Sequence, residues 1–128
     1  MAEGALLNHV ALQCNDKEKV ETFFTGVLGL PIKKKFTISR ELSETIFGMG
    51  ESADVEVYDN DETRFEIFIA QTEEKRGYGH VCIEIDNKKE FIDRCKQYGI
   101  KPMVITKGGK NLLFVRDFSG NLFEIKEK

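Results

Sequence analysis

The sequence predicts an α+β domain in which one βαβββ unit occurs twice. Three observations carry that expectation. Asn8-His9-Val10 and Gly79-His80-Val81 each open an alternating stretch, and helical periodicity follows each at the same distance. Phe65-Glu66-Ile67 and Phe123-Glu124-Ile125 each close a unit. The His-to-Glu separation is 57 residues (9 to 66) in the first copy and 44 (80 to 124) in the second. The difference of 13 is about the length of residues 39–50, so one insertion reconciles the two copies.

The elements follow in order. Residues 6–14 alternate as a strand, and Asn15, with Glu18 three positions on, offers a helix N-cap. Val20, Phe23, Phe24 and Val27 recur at helical spacing until Gly29-Leu30-Pro31 ends the helix. A strand over 32–38 precedes a short amphipathic helix over 40–47, stopped before Gly48 and Gly50. Strands over 53–58 and 64–70 are joined by the turn formers Asp59-Asn60-Asp61. The second unit has a strand over 79–85, then a helix opened by Asn87 and Glu90, carrying Phe91, Ile92, Cys95 and Tyr98, and stopped at Gly99. Strands over 102–106, 111–116 and 121–126 complete it. Without any linker or low-complexity tract, residues 1–128 read as one domain, with module one over about 5–70 and module two over about 78–127.

Composition narrows the function classes. The 41% hydrophobic and 32% charged content is that of an ordinary folded protein. A net charge of −3, with both signs interspersed, leaves no electrostatic footprint for nucleic acid or an anionic membrane. The apolar runs are too short to span a bilayer, and the opening residues lack a signal-peptide pattern, so a cytoplasmic location is expected. Cys14, Cys82 and Cys95 form an odd set with no CxxC pair and read as reduced core or near-core residues.

His9 and His80 are the only histidines, and both occupy the first-strand position of their unit. Strand alternation sets His9 against Val10 and Leu12, and His80 against Val81, Ile83 and Ile85. Glu66 and Glu124 are likewise set against flanking Phe and Ile residues. Each apolar face can pack under a helix, leaving the four polar residues together on the other face of the sheet. A single strand histidine is ordinarily a surface residue; four potential ligands at matched places in a duplication point to one metal ion. Two imidazoles and two carboxylates suit Zn, Ni, Co, Mn or Fe(II), with room for water or substrate.

On these residues the chain resembles the vicinal oxygen chelate superfamily over nearly its whole length. That group includes glyoxalase I, fosfomycin-resistance thiol transferases, extradiol dioxygenases, methylmalonyl-CoA epimerase and bleomycin-binding proteins. The resemblance implies paired βαβββ modules forming a cupped, mostly antiparallel eight-stranded sheet, with helices on the convex face. Within the group the order His, Glu, His, Glu is most similar to glyoxalase I. Arg76-Gly77-Tyr78-Gly79-His80 resembles the loop into the second histidine strand. The run from Val115 to Glu124 resembles the closing turn and strand, with Phe118 where proline is usual.

The resemblance implies one divalent ion, with Zn, Ni and Co the leading candidates, held by His9, Glu66, His80 and Glu124. It assigns catalysis to Glu124 and Glu66, and binding of a substrate carboxylate to Arg76 and Lys110. The activity implied is a proton shift between adjacent carbons of a 2-oxoaldehyde hemithioacetal, through a metal-stabilised enediolate. Gln13 and Ala70 depart from the residues that hold the γ-glutamyl end of glutathione. An epimerase or thiol transferase of the same fold is the first alternative, and a non-catalytic drug- or metabolite-binding protein is the second. A small-molecule substrate, possibly a thiol adduct, and a homodimer are the expected partners.

Overall fold

Apolar residues at every second position become two sheets because each can bury one face against a helix. The computed structural model describes residue 4, residues 7–71 and residues 79–128. The first module contains β1 (Val10–Cys14), α1 (Lys17–Glu21), β2 (Ile32–Ile38), α2 (Arg40–Phe47), β3 (Ala53–Asp59) and β4 (Arg64–Ile69). The second contains β5 (Val81–Ile85), α3 (Lys88–Gln97), β6 (Met103–Lys107), β7 (Lys110–Arg116) and β8 (Leu122–Glu127). Strand order is β1-β4-β3-β2 in one sheet and β5-β8-β7-β6 in the other. In each, the first strand runs parallel to the last and the remaining pairings are antiparallel. The paired modules are therefore present, and their eight strands are divided between two mixed four-stranded sheets.

Helix α1 departs from regular geometry. After Glu21 it widens into a π-helical segment, Thr22–Val27, in which Leu28 N donates to Phe23 O at 3.0 Å. Widened turns let the adjacent Phe23 and Phe24 both enter the core, where they are 1% and 0% exposed. The N-cap is Asp16, which accepts from Glu18 N, one residue later than the sequence suggests. Asn15 is engaged elsewhere: its backbone N–H donates to Ser119 Oγ at 3.1 Å. In α3 the expected cap is present, with Asn87 accepting from Glu90 N.

Helix α2, the insert, is capped by Ser39, which accepts from Leu42 N, and ends at Gly48. Gly48 has φ 69°, a left-handed conformation that is cheap only for glycine.

One core serves both modules. Phe24 stacks on Tyr58 (ring centroids 5.4 Å apart) and touches Phe65 and Phe123, while Phe23 lies 5.3 Å from Phe123. Burying each such ring contributes roughly 1.5–3 kcal/mol. A polar clasp adds to the join. Asp117 Oδ1 accepts from the backbone N–H groups of Ser119 and Asn121. Asn121 Nδ2 donates to Asp117 Oδ2 at 2.8 Å and to Gln13 O, at the end of β1, at 3.1 Å. Phe118 fills the proline's place and packs against Phe23, with the Lys19 ammonium 5.2 Å above its ring. Among the described residues, no helix is long and apolar enough to cross a membrane.

Candidate functional site

The parallel pairing of β1 with β4 sets Val10 opposite Phe65 and Ala11 opposite Glu66. The same offset recurs in the second sheet, with Val81 opposite Phe123 and Cys82 opposite Glu124. Phe65 and Phe123 point into the core, so Glu66 and Glu124 occupy the opposite faces of their sheets, beside His9 and His80. His9 Nδ1 lies 3.6 Å from Glu66 Oε2, and His80 Nε2 lies 3.7 Å from Glu124 Oε1. The His9 ring nitrogen also stands 2.8 Å from Asn8 Oδ1. Both carboxylates are 19% exposed, whereas the imidazoles are open to solvent at 36% and 45%.

The four residues thus come together as two pairs. Among the described residues, no group of three or more His, Cys, Asp or Glu side chains is close enough to hold a metal ion. The cause is the packing of the modules. Their helix-covered faces share one core, in which the Phe65 and Phe123 rings lie 5.9 Å apart, so the two His–Glu faces look outward.

Each pair fits a metal chemically. Two donors at about 2.1 Å from one ion can stand up to about 4.2 Å apart, and 3.6 and 3.7 Å lie within that span. One imidazole with one carboxylate is half of a common donor set for divalent ions.

Other residues fall as follows. Lys110 is exposed at the start of β7, on the face of Phe114, which pairs with Glu124. It stands ~13 Å along the strand from that position, at 3.3 Å per residue. Arg76 lies outside the described residues. Cys82 is not a core residue: it is exposed, on the same face as His80 and Glu124. Partial desolvation by its neighbours, then the Glu124 charge, push its thiol above the ordinary range. Counting alternate positions from His80 would have placed it there. Arg64, on the face of Glu66 and unremarked in the sequence, has a buried Nε with no hydrogen bond and faces Asp59 at 3.8 Å.

A cavity of about 300 Å³ adjoins the first pair. Its floor comprises Ala11 and Gln13 of β1, Ala53 of β3, and Phe68 and Ala70 at the end of β4. Ser43 and Phe47 of α2, with Met49 and Glu51 beyond it, form its other wall. The Phe47 and Phe68 rings meet edge to face at 5.2 Å, fastening the insert over the sheet.

Comparison with known proteins agrees with this architecture. A glyoxalase family protein from Bacillus cereus superposes with a TM-score of 0.75 at 18% identity, covering 99% of this chain and 97% of that one. A glyoxalase family protein from Enterococcus faecalis gives 0.73 at 18% identity, over 94% and 95%. A mutant of the fosfomycin resistance protein FosX from Listeria monocytogenes, complexed with Mn(II) and 1S,2S-dihydroxypropylphosphonic acid, gives 0.73 at 19% identity, over 98% and 93%. These likenesses establish the fold. The family model of the Glyoxalase/Bleomycin resistance protein/Dioxygenase superfamily matches residues 6–125, and to that superfamily the chain belongs.

Proposed function

We propose that this protein is a metal-dependent lyase of the glyoxalase I type, whose complete site joins the His9–Glu66 pair of one chain to the His80–Glu124 pair of a second copy. The observation that carries this reading is the repetition of one His–Glu pair, at one register, on two outward-looking sheets. A twofold dimer that sets module one of each copy against module two of the other makes two sites, each with two imidazoles and two carboxylates. Zn, Ni or Co suits that set, and the Mn(II) in the FosX complex supports a divalent ion.

When bound, the ion supplies Lewis-acid stabilisation to two adjacent substrate oxygens. Glu124 takes the proton from the hydroxyl-bearing carbon of the hemithioacetal and returns it to the neighbouring carbonyl carbon. The hydroxyl proton passes to the former carbonyl oxygen, so the product is a 2-hydroxy thioester; no electron leaves the substrate and no co-reactant is consumed. Glu66 flanks the substrate from the other module. The partly buried setting of both carboxylates limits competing water. Arg76 and Lys110 take a substrate carboxylate.

The FosX complex holds a vicinal diol, and this favours a second reading on the same residues: a transferase or epimerase acting on another substrate with adjacent oxygens.

Mixing two inactive variants tests the assembly. His9→Ala with Glu66→Gln disables one half-site, and His80→Ala with Glu124→Gln disables the other. After unfolding and refolding together, half of the dimers are mixed and each has one intact site. Metal content and methylglyoxal–thiol turnover should return to about a quarter of the parent value. No recovery in mixed dimers isolated by differential tagging would refute the shared site. A parent protein that binds no divalent ion would refute the metal reading.

A further inference from the structure

The cavity beside His9 and Glu66 has a lining that constrains what enters it. Ala11 is the cross-strand partner of Glu66, and Phe68 is the next residue after Glu66 on the same face of β4. The cavity therefore begins one side chain away from the half-site. Its walls are mainly carbon: Ala11, Phe47, Met49, Ala53, Phe68 and Ala70. Polar groups come from Gln13, Ser43 and Glu51. Ser43 is buried on α2 and lines the cavity.

We infer that this cavity receives an apolar substituent, alkyl or aryl, of a ligand whose adjacent oxygens lie at the His–Glu site. The inference rests on the proposed function for the oxygens and on the cavity alone for the substituent. A charged or strongly hydrated group entering here would exchange water for methyl and ring carbons, with few donors or acceptors to replace it. An apolar group gains from the same exchange. Size agrees as well, since an apolar protein cavity of about 150 Å³ already takes benzene. The volume of about 300 Å³ leaves room for a ring with a short chain. The insert that closes the wall is absent from module two, so the substituent has a defined side of the site on which to lie.

A ligand series reads this directly. Alkyl hydroxamates present two adjacent oxygens to a metal and differ only in chain length. Calorimetric titration of the metal-loaded full chain with acetohydroxamate, butyrohydroxamate, hexanohydroxamate and octanohydroxamate should show affinity rising about fourfold per methylene until the cavity is full. Ala70→Phe fills the cavity and should remove that dependence on length. Phe47→Ala, a change at a half-exposed position, opens the wall and should reduce it to about twofold or less per methylene. In metal-free protein, hexan-1-ol should perturb the Phe47 and Phe68 ring signals by NMR, and Ala70→Phe should abolish the effect. If no hydroxamate binds but hexan-1-ol perturbs those rings, the metal reading fails and the cavity assignment stands. Affinity independent of chain length, or a length dependence retained by both variants, would overturn the assignment. So would hexan-1-ol leaving the two rings unperturbed.

Discussion

The rings of Phe65 and Phe123 lie 5.9 Å apart in the shared core, and that contact turns the neighbouring residues Glu66 and Glu124 outward on separate sheets. The relation follows from strand alternation alone once the core contact is known. It makes the two copies of the repeat back-to-back neighbours within a chain and sets their His–Glu faces outward.

With Glu124 as the base of the proposed reaction, Glu124→Gln should retain an oxygen able to touch a metal while losing the basic carboxylate. Turnover of the hemithioacetal should fall by ~10²–10⁴-fold, with a much smaller loss of bound metal. Steady-state kinetics and elemental analysis of one preparation check both. Normal turnover with metal bound would remove Glu124 from the chemistry.

Gln13 and Ala70 line the cavity where the resemblance places the grip on a γ-glutamyl group. That polar group would be left imperfectly paired here, at about 1–3 kcal/mol. Glutathione should therefore not be the best thiol. Across a panel with methylglyoxal, smaller thiols should match or exceed its kcat/KM, and a clear preference for glutathione would contradict the role given to these two residues.

Asp117 is buried and accepts hydrogen bonds from two backbone N–H groups and the Asn121 amide. Asp117→Ala leaves those donors without their acceptor and should destabilise the fold by about 2–3 kcal/mol. Urea denaturation monitored by circular dichroism measures this. A loss below about 0.5 kcal/mol would show that the clasp contributes little.

Alkaline pH should weaken the fold. Burial raises the Cys95 thiol to about 11, and burial also raises Cys14 and Tyr58. These groups keep their protons in the folded chain where the unfolded chain releases them. The Cys95 contribution is complete below the ordinary thiol value near 9.0 and is lost as pH rises through its folded value near 11, while those of Cys14 and Tyr58 continue to fall at higher pH. Denaturation midpoints should fall across that window. Cys95→Ala should flatten the slope, and midpoints that stay level or rise would contradict the assignment.

The repeat, the insert helix and the order of elements are all legible in the residue pattern, because each depends on spacing along the chain. The Asn87 cap follows from its local pattern. The Asn15 cap does not, because Ser119, 104 positions away, recruits Asn15 and leaves Asp16 to cap α1. The widened turns of α1 answer to two adjacent phenylalanines meeting Tyr58, Phe65 and Phe123, contacts that no local window contains. Alternation shows that His9 and Glu66 share a face and that His80 and Glu124 do too. It cannot show which faces meet, and this is why one expected four-residue cluster appears in the chain as two pairs. Cys82 was readable by counting from His80, but cysteine's usual preference for burial pointed the other way.

Helix α2 interrupts an otherwise close duplication, and its presence in only one module has a geometric consequence. A site made from one copy of each module has a floor with near-twofold symmetry and walls without it. One wall carries α2, with Phe47 against Phe68; the other has no counterpart. The two sides of such a cleft are unlike. In the proposed site, a ligand with one bulky end should therefore lie in one orientation, towards the wall that carries α2.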